Sequence, residues 1–154
     1  MSNPATLHLI DITDAAGAVR EPAWLARAER VHRQLREQLP ADYAGRLAQG
    51  FANGARMAVA TEGDAVAGVA IWRLIENTYE GRRLYVDDLV TDSELRSQGV
   101  GKALLAHLER RAIELRCDVL TLDSGTQRSG AHRFYFREGM SIPAFCFRKV
   151  LAYQ

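Results

Sequence analysis

The stretch "RRLYVDDLVTDSELRSQGVGKALLAHLERRAIELRCDVLTLDS", Arg82 to Ser124, changes its hydrophobic period twice. An apolar, β-branched run comes first. A turn with two glycines follows, and Val100, Leu104, Leu105, Leu108, Ala112 and Leu115 then recur at the spacing of one helix face, from about Gly99 to Arg116. "DVLTLDS" (Asp118–Ser124) returns to strand character. Two strands joined through a helix of this length lie parallel, with a right-handed crossover. The chain must therefore build a sheet with at least one helix packed on its face.

The other segments surround this unit with antiparallel pairs. "LHLIDI" (Leu7–Ile12) alternates as a first strand. "EPAWLARAERVHRQLREQL" carries Pro22 at a helix start and a stripe of Trp24, Ala28, Val31, Leu35 and Leu39, with Arg27, Arg30, Arg33 and Arg36 outside it; Pro40 stops the helix. A shorter helix spans roughly Asp42–Gln49. "RMAVATEGDAVAGVAIWRLIEN" reads as a hairpin, with strands near Met57–Thr61 and Val66–Ile75 turning at Glu62-Gly63-Asp64. Glu80-Gly81 turns the chain into the strand of the first motif. "GAHRFYFRE" (Gly130–Glu138) is a short helix ended by Gly139, and "AFCFRKVL" (Ala144–Leu151) is a last strand. The expected fold is mixed α/β, one domain over residues 1–154, with helices on both faces of a mixed, mostly antiparallel sheet.

Composition narrows the function classes. At 154 residues, 47% hydrophobic and 25% charged, this is the make-up of an ordinary globular domain. A net charge of +1 gives no electrostatic case for nucleic acid or an anionic membrane surface. Cys117 and Cys146 are far apart and form no metal-ligand cluster, so free thiols in core positions and no metal are expected. "MSNPATLHLIDITDAAG" lacks a basic n-region, and the apolar run Ala65–Trp72 is too short to span a bilayer. A cytoplasmic location follows as the expectation. His107 and His132 stand on helices without ligand partners at metal spacing.

A strand feeding a Gly-rich helix start presents unpaired N–H groups to an anion. "RSQGVGKALL" lacks the upstream Gly and the hydroxyl of a P-loop. It also lacks the third Gly of a dinucleotide fingerprint, because Leu104 stands there. Arg96, Gly99 and Gly101 do satisfy Arg/Gln-x-x-Gly-x-Gly/Ala, a coenzyme A pyrophosphate loop; two glycines in a tight strand-to-helix turn are the structural alternative. The whole stretch Leu84–Leu105 resembles motif A of the GNAT superfamily of N-acetyltransferases. "AHRFYFREGM" (Ala131–Met140) resembles that superfamily's next motif, with Met140 in place of the usual Phe. The resemblance implies a GNAT-like sheet of roughly six to seven strands. Only the chain after Met140 is short for the usual closing hairpin, which shrinks to one strand.

The resemblance also implies a site. Backbone groups of Leu89, Val90 and Thr91 would pair with the pantetheine arm of acetyl-CoA. N–H groups of Arg96, Ser97, Gln98, Gly99, Val100, Gly101 and Lys102 would wrap the pyrophosphate. Tyr135 takes the place of a Tyr near the thioester sulfur. Arg128 replaces a common Asn seven residues earlier and would reach a phosphate or nothing.

Asp87 and Asp88 are strand neighbours, so one must face the core unless a bulge splays the strand. A buried carboxylate needs a partner; pairing with Arg82, Arg83 or a backbone donor is the structural reading. The functional reading is a general base for an ammonium nucleophile, with Asp87 at the position most often cast as base. A backbone N–H freed by a bulge near Leu89–Val90 would serve the oxyanion, and Tyr135 would act as acid. Trp72, Glu76 and Tyr79 either line an acceptor pocket or pack. The expected activity is acetyl transfer from acetyl-CoA to a primary amine, a small molecule in the first instance. Peptide or protein amines and a non-catalytic CoA-binding module are the alternatives, and a homodimer is one assembly that the resemblance implies.

Overall fold

The structure is a computed structural model that describes residues 6–153. They divide into two compact units, one running to Leu122 and one from Asp123 onward. The first unit contains β1 (Leu7–Asp11), α1 (Pro22–Leu35), α2 (Tyr43–Ala52), β2 (Arg56–Glu62), β3 (Ala65–Asn77), β4 (Gly81–Thr91), α3 (Val100–Glu114) and β5 (Val119–Leu122). The second contains α4 (Ser129–Arg137). Of the amino-terminal stretch, residues 1–5 lie outside the described part. Among the described residues no helix is long and apolar enough to cross a membrane.

The strands lie in the order β1-β2-β3-β4-β5. The first four pair antiparallel and β5 joins β4 in parallel, as the crossover through α3 requires. Two cores flank this sheet. Leu25, Ala28 and Val31 of α1 and Tyr43, Leu47 and Phe51 of α2 pack on Met57, Val59, Val69 and Ile71. On the other face Val100, Leu104, Leu108 and Ala112 of α3 pack on Ala60, Ala70, Trp72, Leu84 and Val86. Trp72 is thus a core side chain rather than a pocket wall.

α3 is fastened at its middle and second half and fitted closely at its start. His107 Nε2–H and Arg111 Nη2–H donate to the two oxygens of Asp11 at the end of β1, at 2.8 and 2.5 Å. At its start the fit depends on Gly68, where a Cβ would lie 2.7 Å from Val100 Cγ1 and 2.8 Å from Leu104 Cδ1. Gly68→Val should therefore push α3 off β3 and cost about 1–3 kcal/mol, the usual penalty of overpacking. Denaturant unfolding measures this, and an unchanged midpoint would mean that the helix end moves freely.

Three expectations change. α1 ends at Leu35, four residues before Leu39. Pro40 disfavours helical backbone in the residue before it, and the Arg33 guanidinium donates instead to the carbonyls of Leu39 and Pro40. The sheet has five strands, not six to seven, because residues 141–153 join no ladder with any described strand. Their alternation is β-like, but a strand exists only where a neighbour takes its N–H and C=O groups, and alternation cannot supply one. Cys146, expected in the core, is exposed with this segment, whereas Cys117 is half-buried against the α3-side core.

Candidate active site

β4 carries the acid pair and is bent by a bulge. Val86 pairs with Trp72 and Asp88 with Ile71, which leaves Asp87 without a counterpart on β3. The bulge lies at Asp87 itself, earlier than the Leu89–Val90 position expected from the sequence. It reverses the facing of everything after it. Leu84 and Val86 belong to the α3-side core, whereas beyond the bulge Leu89 packs on that side and Val90 on the α1 side. Asp88 shares the facing of Val90 and turns toward α1.

α1 and its C-cap residue Arg36 meet it with two donors. Arg36 Nε–H donates to Asp88 Oδ1 at 2.7 Å, and His32 Nε2–H donates to Oδ2 at 2.7 Å. On the far side of the imidazole, Nδ1 pairs with the Tyr43 hydroxyl at 2.8 Å. His32 is only 1% exposed. Burial alone would raise the Asp88 carboxyl, but His32 and Arg36 outweigh it and hold the group below its ordinary value. Burial, helped by the charges of Glu29 and Asp88, raises the Tyr43 phenol well above its usual range, so it stays a hydroxyl donor.

Asp87 has a different partner. Arg73 of β3 clamps it in a fork, Nε–H to Oδ2 at 2.6 Å and Nη2–H to Oδ1 at 2.7 Å. Its side chain is 27% exposed against 13% for Asp88, which makes it the more accessible acid. Neither acid uses Arg82 or Arg83, which pair with Glu76 and Glu80. Sequence reasoning missed His32, Arg36, Tyr43 and Arg73. Only the run of arginines off the apolar stripe of α1 hinted at them.

Beyond the bulge, β4 has one free edge in the sheet. Its ladder with β5 covers Arg83–Val86 and stops, while among the described residues Leu89, Val90 and Thr91 pair only with Ala70, Val69 and Gly68 of β3. The chain then turns at Asp92, buried and bonded by Arg30 Nη2–H and Gln34 Nε2–H of α1. The Gln34 side chain accepts from Ser93 N–H in return. These bonds hold the start of the loop in place, and the Arg30 contact keeps the Asp92 carboxyl below its ordinary value.

Arg96, Ser97, Gln98 and Gly99 are exposed. Gly99 is the N-cap of α3 at φ +84°, a left-handed conformation suited to glycine, and makes no side-chain cap bond. The first helical bond runs from Ala103 N–H to the Gly99 carbonyl. The N–H groups of Val100, Gly101 and Lys102 therefore have no partner within the helix.

In the second unit Arg128 is the N-cap of α4 and Tyr135 lies in its last turns. Gly139, at φ +84°, ends the helix, and Met140 N–H donates to the Tyr135 carbonyl at 3.0 Å. The Tyr135 ring tilts against Phe134 at 5.4 Å. Burial raises its phenol above the ordinary value, and Arg128 pulls it back in part.

The GNAT acetyltransferase family model matches residues 20–140. The chain belongs to the GNAT family. Among relatives, it is 40% identical over 72 residues, 46% of its length, to the uncharacterized N-acetyltransferase YhdJ of Bacillus subtilis. It is 36% identical over 66 residues, 43% of its length, to an aminoalkylphosphonate N-acetyltransferase of Salmonella typhimurium. These matches span about half the length of the curated relatives, 51% and 43% respectively. An aminoglycoside N-acetyltransferase solved in complex with CoA has the same fold, at TM-score 0.75 and 13% identity, over 97% of this chain and 95% of that one.

Within this GNAT chain most of the remaining polar candidates have structural partners. His107 serves Asp11, and His132 Nε2–H donates to the Gly125 carbonyl at 2.9 Å. Glu76 pairs with Arg82, and Tyr79 is exposed beyond β3. Among the described residues no group of three His, Cys, Asp or Glu side chains is placed to hold a metal ion.

Proposed function

We propose that this chain transfers an acetyl group directly from acetyl-CoA to the primary amine of a small molecule. The proposal rests on one juxtaposition. The free edge of β4 at Leu89–Thr91 runs through the Asp92 turn into the uncapped start of α3. A strand edge suits the amides of a pantetheine arm, and the N–H groups of a helix start suit a pyrophosphate. Bound acetyl-CoA would supply the activated acyl group as a thioester.

The chain's own residues would do the rest. Backbone N–H groups from Arg96 to Lys102 would hold the diphosphate. The amine, with a pKa of about 10, arrives as an ammonium that the acid pair attracts. Asp87 is the base: each of its oxygens accepts one bond from Arg73 and keeps a lone pair for the ammonium proton or for a relaying water. Asp88, tied by His32 and Arg36, supports the bulge rather than moving protons. A backbone N–H at the bulge would meet the oxyanion as it develops, and Tyr135 would return a proton to the departing thiolate. The names of two similar proteins, for aminoalkylphosphonates and for aminoglycosides, support a small amine as acceptor.

Binding to the native state raises its apparent stability by RT ln(1 + [L]/Kd), so CoA is expected to raise the Tm well above NAD or ATP. Equal shifts with all three would reduce the loop to a generic anion site. Release of free CoA across a panel of small amines and amino-terminal peptides tests turnover. Peptide-only turnover would move the acceptor to protein amines, and binding without any turnover would favour a CoA-binding module.

Gly99→Val and Gly101→Val should each weaken CoA at least about tenfold, or 1.4 kcal/mol, because a branched side chain intrudes where phosphate must touch backbone. At Gly99 the left-handed backbone adds a strain of about 1–2 kcal/mol. An unchanged Kd in both variants, read by titration calorimetry, would place the phosphate elsewhere.

A further inference from the structure

We propose that Arg36 is a positioning residue for acetyl transfer, a proposal that rests on Asp87 being the base: Arg36 holds the main chain of Asp87 as Arg73 holds its carboxylate. A base on a bulge lacks the usual support. Asp87 has no register partner on β3, and the ladder with β5 ends one residue earlier, at Val86. The ladders that fix the rest of β4 therefore leave this residue unanchored. Small misplacements of a reacting group are costly in rate, so the main chain there needs another hold.

Arg36 supplies it from the end of α1. Its Nη2–H donates to the Asp87 carbonyl at 3.0 Å, while Nε–H donates to Asp88 Oδ1 at 2.7 Å. Nη2 also lies 2.6 Å from Asp88 Oδ1. One guanidinium thus spans the peptide between the two acids, from the carbonyl of the first to the side chain of the second. That peptide is trans and planar, so its carbonyl and N–H turn together as one plate. Holding the carbonyl fixes the direction of the Asp88 N–H, which points the opposite way. It also fixes ψ of Asp87, and with it the direction in which the basic side chain leaves β4. Arg36 is itself held. Its own N–H donates to the His32 carbonyl at 3.1 Å, and its guanidinium meets a carboxylate already tied to the His32–Tyr43 pair. The series Tyr43, His32, Asp88, Arg36 ends on the main chain of the base.

A lysine keeps the charge but not the fork, because an ammonium lacks the rigid planar donors that span two acceptors. Arg36→Lys should keep a urea midpoint close to wild type and lower kcat about 10–100-fold, with the KM for acetyl-CoA unchanged. Arg36→Ala should lose more. The side chain is 39% exposed, so a small ion can reach the space its removal leaves. Dilute guanidinium chloride should therefore restore part of the kcat of Arg36→Ala, and sodium chloride at the same concentration should not. Should Arg36→Ala fail to fold, Arg36→Lys decides alone. A purely structural salt bridge would give the reverse pattern, a lowered midpoint with wild-type kcat, and that result would overturn the proposal. A loss carried by the KM for acetyl-CoA would overturn it as well. A wild-type chain that turns over no amine would overturn the acetyl-transfer reading and this proposal together, whereas wild-type turnover with an unaltered Arg36→Lys overturns this proposal alone.

Discussion

Tyr135→Phe is expected to lower kcat about 10²–10⁴-fold, the range for loss of a general acid. The change removes one oxygen and keeps the ring, so the packing on Phe134 survives. Binding of acetyl-CoA should hardly change, since the hydroxyl contributes at most one modest hydrogen bond to the ground state. The pH profile is the more discriminating measurement. A general acid works only while protonated, and burial raises this phenol above its ordinary value. Wild-type activity should therefore persist to a pH above about 10 before the alkaline limb falls, and that limb should change in the Phe variant. Wild-type kcat with an unaltered limb would return Tyr135 to the packing residues.

His32→Ala is expected to cost about 1–3 kcal/mol, the range for leaving buried hydrogen-bonding groups without a partner. The substitution strands the Tyr43 hydroxyl, removes one of the two donors on Asp88 and leaves a cavity under α1. Urea unfolding of the two proteins reads the loss directly, and a cost below about 1 kcal/mol would mean that water takes over both bonds.

The pH dependence follows from the same cluster. Asp88 has a depressed carboxyl in the folded chain, so its contribution is complete above the ordinary value of about 4 and is lost as pH falls through the lower folded value. Without His32 the carboxyl loses a partner that lowers it, and acid unfolding should begin at higher pH. An identical acid midpoint in wild type and variant would remove Asp88 from the groups that set acid stability.

Local pattern determined much of this protein. The switch from period 2 to period 3.6 and back is a property of neighbouring residues, so β4, α3, β5 and their parallel crossover were legible before any coordinates. The helix start at Gly99–Lys102 was legible for the same reason, because backbone N–H groups need no distant partner to become exposed. Facing of the acids was not. One extra residue at Asp87 reverses the strand, and only the register of β4 against β3 reveals it.

Nor could the partners of the acids be read in advance. His32 and Arg36 stand 56 and 52 positions from Asp88 in the chain, and the helix carrying them reads as an ordinary amphipathic stripe with a charged face. The missing sixth strand has the same cause. Alternation in Ala144–Leu151 depends on sequence alone, whereas a ladder depends on what the folded chain sets beside it. Sequence fixes which segments are able to form a strand or present an anion-binding turn. Which groups meet across the sheet, and which acid they hold, is decided by packing between segments far apart in the chain.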